Sequence, residues 1–302
     1  MLQTKRMQGR VIAAHGRHYM IELPDGSLRK CFPRGKRSEV AVGDNVIITP
    51  SGADEGTIDQ TLERRNLLYR SDDMRTKQFA ANVDQLLIVV ATEPSFSDDL
   101  AGRALVAAWS AGITPLIVLN KVDLTARLDD ARARLAWLRA LDVPVIELEA
   151  TNEQVTRDIL LPRLEGYCNL LLGQSAMGKS TILNALVPDA QAHTQEHSQA
   201  LGAGKHTTTS TRLYHLPKPY KGAIIDSPGF QTFGLHHLNA QEIEDGFPEF
   251  GDSPAHCRFH NCSHRHEPGC AVLERLKHGH IAPQRYELYK RLLAEHEAKT
   301  PY

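Results

Sequence analysis

Residues 173–180 read GQSAMGKS, a G-x-x-x-x-G-K-S pattern set directly after the apolar run NLLLG and directly before the helix-like STILNALV. Strand, glycine-rich turn and helix in that succession make a cradle in which backbone N–H groups and a helix N-terminus converge on phosphate. A buried strand must lie under such a loop, so an α/β sheet is the constraint from which the rest follows. A second segment, NKVD at 120–123, ends another apolar run and stands before the cradle in the chain. Asp123 can accept from the ring N–H and the exocyclic amine of guanine, a donor pair that adenine does not present. Asn120 can bond the base edge, and the stem of Lys121 can cover the ring. Both segments end strands, where open α/β sheets bind ligands.

The remaining runs DQLLIVVAT, PVIELEA and GAIIDSPG are continuously apolar, as strands covered on both faces must be. Helix-like stretches such as DDLAGRALVAAWSAG alternate with them. DSPG at 226–229 again closes a strand. There Asp226 would hold Mg²⁺ through water, and the Gly229 amide would meet a γ-phosphate. Lys179 would bridge β- and γ-phosphates, and the Ser180 hydroxyl would sit on Mg²⁺. Between cradle and DSPG lies GAGKHTTTSTR, a glycine- and threonine-rich segment suited to ordering by γ-phosphate and Mg²⁺. Thr207 and Thr208 both remain candidates for the sensing hydroxyl.

Base reader, cradle, switch threonines and DSPG therefore follow in a circularly permuted order. A nucleotide site depends on where strand ends lie, not on the order in which the chain visits them. Permutation is tolerated when the original termini are close enough to join. The join here is EQVTRDILLPRLEGY, which reads as a helix.

Residues 1 to about 75 break into strand-length pieces. RHYMIEL and SLRKCF flank the turn signal Pro24-Asp25-Gly26, and GDNVIIT and GTIDQTL follow. A small β-barrel of the OB kind fits. Arg29, Lys30, Arg34, Lys36 and Arg37 fall within nine residues that hold no acidic side chain, a candidate RNA-binding loop. The competing reading is a solvated charged hairpin. The net charge of −1 argues against a uniformly basic nucleic-acid binder without excluding such a patch.

Of the five cysteines, Cys257, Cys262 and Cys270 crowd together and, with His264, spell C-x4-C-x-H-x5-C. Three thiolates and an imidazole suit a closed structural zinc site. His256, His260 and His266 stand close enough in sequence to compete as the fourth ligand. Cys31 and Cys168 read as small core residues. In the final helix-like stretch, RYELYKRLLAEHEA, Tyr286, Tyr289, Leu292 and Leu293 share one face. No apolar run approaches the ~20 residues that span a bilayer, and the N-terminus lacks a signal-peptide core, so a cytoplasmic chain is expected.

Taken together, NKVD, GQSAMGKST, GKHTTTSTRLYHL, IDSPGF with FGL, and CRFHNCSHRHEPGC make the chain resemble, over nearly its whole length, the circularly permuted ribosome-biogenesis GTPases called RsgA, YjeQ or EngC. The resemblance implies three units: an OB barrel at 1–75, a permuted P-loop GTPase at 76–240 and a zinc-binding α-helical segment at 241–302. It implies a bacterial GTP hydrolase stimulated by the small ribosomal subunit, with that subunit and its rRNA as partners, acting as a monomer and away from membranes. The implied nucleotide contacts are Asn120, Lys121, Val122, Asp123, Ala150, the cradle Gly173, Gln174, Ser175, Ala176, Met177, Gly178, Lys179, Ser180 and Thr181, and Gly229. Zinc would be held by Cys257, Cys262, His264 and Cys270, and His206 would orient the attacking water beside Lys179.

Three positions depart from or bear on that pattern. Ala176-Met177 stands where the family has Gly-Val, a change the loop should tolerate because Gly178 is kept. Glu149 replaces the serine of the base-supporting Ser-Ala pair, so the amide of Ala150 loses that support. Phe230 follows Gly229 in place of the water-orienting glutamine of related switches, and a hydrophobic residue there is usual in this family. Two other functions are compatible with parts of the chain: an RNA adaptor in which GTP is structural, and a metabolic P-loop ATPase or kinase, which NKVD disfavours.

Overall fold

The computed structural model describes residues 6–35, 40–71, 76–188, 190, 211–227 and 234–299. At the N-terminus, β1 (Met7–His15), β2 (His18–Glu22), β3 (Leu28–Pro33), β4 (Asn45–Pro50) and β5 (Glu55–Thr61) pair in the order β1-β2-β3-β5-β4. Pairing of β4 back onto β1 closes the barrel. β3 and β5 run parallel and all other neighbours antiparallel, which is the expected OB arrangement. Strand periodicity explains the closure. On β2, Tyr19 and Ile21 point into the core while His18, Met20 and Glu22 stay half-exposed. The Pro24-Asp25-Gly26 turn forms as its chemistry requires: Gly26 takes φ +82°, and the Asp25 carboxylate accepts from Ser27 N at 2.9 Å and Ser27 Oγ at 2.6 Å.

The segment leaving the barrel forms a hairpin of its own, β6 (Leu67–Ser71) with β7 (Thr76–Ala81). The expected border at 75/76 thus falls between two paired strands.

The second sheet holds β8 (Gln85–Ala91), β9 (Thr114–Asn120), β10 (Val145–Leu148), β11 (Cys168–Gly173), β12 (Arg212–His215) and β13 (Ala223–Asp226), in the order β10-β9-β8-β11-β13-β12. All neighbours are parallel except β12. Helices α1 (Asp98–Ser110), α2 (Leu128–Leu135), α3 (Glu153–Leu164) and α4 (Lys179–Leu186) complete the α/β unit. The permutation is visible in this order. The first three strands fill one half of the sheet, and α3, the predicted join, carries the chain from edge strand β10 to central β11. Register then aligns the strand ends: Leu148 and Ala91 lie opposite Asn120, Gly173 opposite Val89, and Asp226 opposite Leu171.

Beyond the sheet come α5 (Ala240–Asp245), α6 (Ala271–Lys277) and α7 (Pro283–Lys299). Tyr286, Tyr289, Leu292 and Leu293 are buried along one face of α7, as their spacing predicts. That helix lies on α1. A Cβ at Gly102 would stand 2.6 Å from Leu288 Cδ2, so glycine here lets the two helices pack without displacing that side chain. Arg103 pairs with Glu295, and Asp99 with Arg291. Beneath them Arg285, 2% exposed, bonds Glu249 at 2.7 Å and is flanked by Phe247, Trp109 and Trp137.

Among the described residues, the barrel meets the sheet through one strand pairing, Ala13 opposite Arg212. Around it His215 Nε2 lies 2.8 Å from Glu22, and Arg10 donates to the Cys168 sulfur at 3.0 Å. Cys31 and Cys168 are both buried core residues, as expected. No described helix is long and apolar enough to cross a membrane.

Candidate active site and metal centre

The loop after β11 wraps at the N-terminus of α4, and the base-reader loop follows β9 two strands away. Asn120 joins them. Its side chain is 2% exposed, donates from Nδ2 to Met177 O at 2.9 Å, and accepts at Oδ1 from the Ala150 amide at 3.0 Å. One carboxamide therefore fixes the cradle, the base reader and the base-supporting loop against one another. Bonding to a base edge would use the second N–H or lone pair. Gly178 completes the junction at φ +96°, where a Cβ would stand 2.1 Å from Asn120 Nδ2.

Lys121 adopts φ +62°, and its ammonium donates to Glu93 O at 2.7 Å while Thr92 Oγ1 donates to its carbonyl at 2.8 Å. These bonds pin the Lys121 stem beside exposed Asp123 and half-buried Val122. Glu149 accepts from Thr151 Oγ1 at 2.8 Å, so the departure from serine leaves its carboxylate bonded locally and Ala150 supported by Asn120 instead.

In the cradle, Lys179 is 9% exposed and its ammonium donates to Gly173 O at 2.8 Å and Gln174 O at 2.9 Å. Burial pushes its pKa down, and the charge of nearby Asp226 opposes that shift. Asp226 is itself buried at the end of β13, while Ser180 and Thr181 are exposed on the first turn of α4. A buried carboxylate and an exposed hydroxyl at the phosphate end of the sheet fit a Mg²⁺ site. Gln174 Oε1 accepts from Ser97 N at 2.7 Å, which ties the cradle to the capped start of α1. Ser175 is exposed and Met177 is 2% exposed, packed into the core.

Ala176 adopts φ +67°, the left-handed region that favours glycine. The loop keeps its wrap, but alanine holds it under strain. Changing Ala176 to Gly should relieve about 1–2 kcal/mol, more than the roughly 0.4–1 kcal/mol lost to glycine's freedom in the unfolded chain. A higher urea midpoint is therefore expected for Ala176→Gly, and a lower one would contradict the strained assignment.

His206, Thr207, Thr208, Gly229 and Phe230 lie outside the described residues, as do Lys36 and Arg37 of the basic run. Two of the other basic residues of that run have acidic company the linear sequence hides, while Arg29 donates to the main-chain carbonyl of Gly52 at 2.9 Å. Lys30 Nζ lies 3.9 Å from Glu55, and Arg34 lies 3.4 Å from Asp59, both on β5.

Cys257, Cys262, His264 and Cys270 converge, with their ligand atoms all within 4.8 Å of one another. His264 Nδ1 lies 3.5 Å from the Cys257 sulfur and 3.4 Å from that of Cys270, and those two sulfurs are 3.9 Å apart. A zinc tetrahedron with Zn–S bonds of about 2.3 Å has S–S edges of about 3.8 Å, so the donor set fits. Of the four histidines, His264 lies inside the cluster and is 2% exposed, while His256, His260 and His266 are exposed and outside it.

The opposite ring nitrogen, His264 Nε2, lies 2.9 Å from Glu244, an outer carboxylate that orients the imidazole. Sequence spacing offers no signal for it, since Glu244 belongs to α5. Burial alone would raise the pKa of nearby Glu267, but bonds from Ser263, His266 and its own amide hold it well below the usual carboxylate range. These bonds keep the ligand loop closed.

Residues 61–236 match the family model described as RsgA GTPase. The chain is 64% identical over 301 residues, all of both chains, to the small ribosomal subunit biogenesis GTPase RsgA of Bordetella pertussis. It is 55% identical to the protein of that name from Ralstonia nicotianae, covering 97% of this chain and 93% of that one. Among solved structures, YjeQ from Thermotoga maritima superposes with a TM-score of 0.73 at 29% identity, over 98% of this chain and all of that one. YloQ, described as a circularly permuted GTPase, gives 0.71 at 25% identity, over 100% and 99%. With its permuted sheet, its cradle and its base reader locked together by Asn120, the chain belongs to the RsgA GTPase family.

Proposed function

We propose that this protein hydrolyses GTP on the small ribosomal subunit during late maturation, slowly when alone and faster once docked. The observation that carries the nucleotide site is the Asn120 carboxamide, which ties base reader and cradle into one hydrogen-bonded unit. The relatives' name, small ribosomal subunit biogenesis GTPase, supports the partner. The three working units are 1–75, 76–240 and 241–302, in a monomer acting in the cytoplasm.

Lys179 must leave the Gly173 and Gln174 carbonyls to meet the β- and γ-phosphates, which replaces neutral acceptors with charged ones. Backbone amides from Gly173 to Thr181 wrap the β-phosphate. Ser180 and Asp226, with Thr207 or Thr208, would hold Mg²⁺, which when bound neutralises charge across the phosphates. Zinc, held by the Cys₃His set, supplies structure rather than chemistry. His206 accepts a hydrogen bond from water and orients it, once docking on the subunit closes the switch.

GTP turnover measured with and without small subunits tests this reading. Stimulation that disappears in His206→Ala, with GTP affinity kept within a few-fold, is the expected result. Turnover no greater than that of a Lys179→Ala control would favour the adaptor, in which GTP is structural.

Nucleotide choice tests the base reader separately. Asp123→Asn removes a charged acceptor, at about 1.5–3 kcal/mol per hydrogen bond. Weaker GTP binding with partial recovery on xanthosine nucleotides is expected. Unchanged GTP affinity in a titration would place guanine recognition elsewhere.

A further inference from the structure

No motif marks residues 92–97, TEPSFS, yet they stand between the two halves of the nucleotide site. Strand β8 lies between β9, which carries the base reader, and β11, which carries the cradle, so the loop leaving β8 emerges between them. Both halves are fastened to it. At its start Thr92, 2% exposed, donates from Oγ1 to Lys121 O at 2.8 Å and from its amide to Asn120 O at 3.3 Å. The Lys121 ammonium returns a bond to Glu93 O at 2.7 Å. At the other end the Ser97 amide donates to Gln174 Oε1 at 2.7 Å. The middle is pinned from outside both segments. Arg134 on α2 donates to Ser95 Oγ at 2.7 Å and to Phe96 O at 2.6 Å, and its guanidinium carbon lies 4.0 Å from the centroid of the buried Phe96 ring.

We infer that Thr92–Ser97 is a rigid support that holds base reader and cradle at the spacing of one nucleotide, and that Arg134 is a positioning residue acting through it. The inference rests on the reading of those two segments as one guanine-nucleotide site and adds the residues that set its span. Asn120 links the halves through a single side chain, and the loop links them a second time. Capping of α1 does not account for the arrangement. The Ser97 hydroxyl serves the cap by accepting from Leu100 N at 3.2 Å, whereas the Ser97 amide goes to the cradle. The ion pair of Arg134 with Asp98 does not account for it either, because that carboxylate is 63% exposed and such surface pairs contribute little. The bonds to Ser95 and Phe96 are charge-assisted and fix the path of the loop. Pro94 removes backbone freedom from its exposed stretch.

The test uses the full-length protein and N-methylanthraniloyl-GDP, a fluorescent nucleotide whose release is timed after a chase with unlabelled GDP. Thr92→Val and Gln174→Met each remove one fastening and should speed release roughly 2- to 12-fold, the equivalent of one hydrogen bond. Arg134→Met should speed release at least about two-fold. Its KM for GTP should rise while kcat at saturating GTP and small subunits stays within about two-fold, since the fastening of the site has changed and the reacting atoms have not. Added to the Thr92→Val/Gln174→Met pair, Arg134→Met should lose most of its effect, because the Lys121–Glu93 bond is then the main fastening left. Ser95→Ala, at an exposed position, removes one Arg134 bond and should show the same change at smaller size, which carries the test if Arg134→Met does not fold. Unchanged release in both Arg134→Met and Ser95→Ala would overturn the support. So would equal speeding by Arg134→Met in the wild-type and unfastened backgrounds, or a fall in its kcat at saturation. A wild type that binds no guanine nucleotide would instead sink the site reading beneath it.

Discussion

Cys262→Ser should release the metal and loosen the C-terminal unit while leaving guanine-nucleotide binding within a few-fold. Structural zinc contributes about 10–16 kcal/mol of apparent binding energy near neutral pH, all of it coupled to folding of the ligand loop. Serine supplies no thiolate, and half of the side chains from Cys257 to Cys270 are exposed, so without the metal the loop is left to the Glu267 bonds and to those of Arg265, Tyr286 and Tyr289. His264, freed from the metal, would keep its Glu244 bond, its carbonyl bond from Tyr286 and its Nδ1 contacts with the Cys257 and Cys270 sulfurs. The nucleotide pocket is held by Asn120 and by α1, which do not pass through the cluster. Elemental analysis should find one zinc per wild-type chain and none in the variant, with new protease cleavage confined to residues beyond 240. A wild type without zinc would end the metal assignment.

Glu249→Ala should cost about 3–5 kcal/mol of stability, the penalty for leaving a buried charge without its partner. Arg285 is enclosed by Phe247, Trp109 and Trp137, with its guanidinium carbon 4.3 Å from the Phe247 centroid, and cannot swing to water. Its other acceptors are main-chain carbonyls: Gly246 O at 3.0 Å and Gly102 O at 3.4 Å. Neither neutralises the charge. The chain has two tryptophans, and both flank this guanidinium, so urea unfolding followed by their fluorescence reports the site directly. Replacing both partners by apolar residues, as in Glu249→Leu with Arg285→Met, should recover much of the loss, because no orphaned charge remains. A single-variant loss below about 1 kcal/mol would show the guanidinium reaching solvent.

How far the sequence reaches depends on whether a property is local. The cradle, the base reader, DSPG and the cysteine cluster were legible because each chemistry needs particular residues at fixed short spacing. The strands were legible because runs such as LIVLN can only be buried on both faces. The join over α3 followed from the order of those motifs, and the sheet order agrees with it. Spacing could not choose among four histidines, because reaching a metal depends on which one the fold turns inward. The fold turns His264, at φ +58°, into the cluster.

The same limit explains the rest. Asn120 has the residue type expected of a base contact, yet its bonds to Met177 and Ala150 come from residues 57 and 30 positions away. The strain at Ala176 is a backbone angle that no alanine in a sequence announces. The run from Arg29 to Arg37 looks uniformly basic along the chain, but β5 brings Glu55 and Asp59 beside it. Local chemistry thus determined the nucleotide-binding motifs and a donor set that fits zinc. The partners of each side chain were decided only by tertiary contacts, because hydrogen bonds and burial are made in space between segments far apart in sequence.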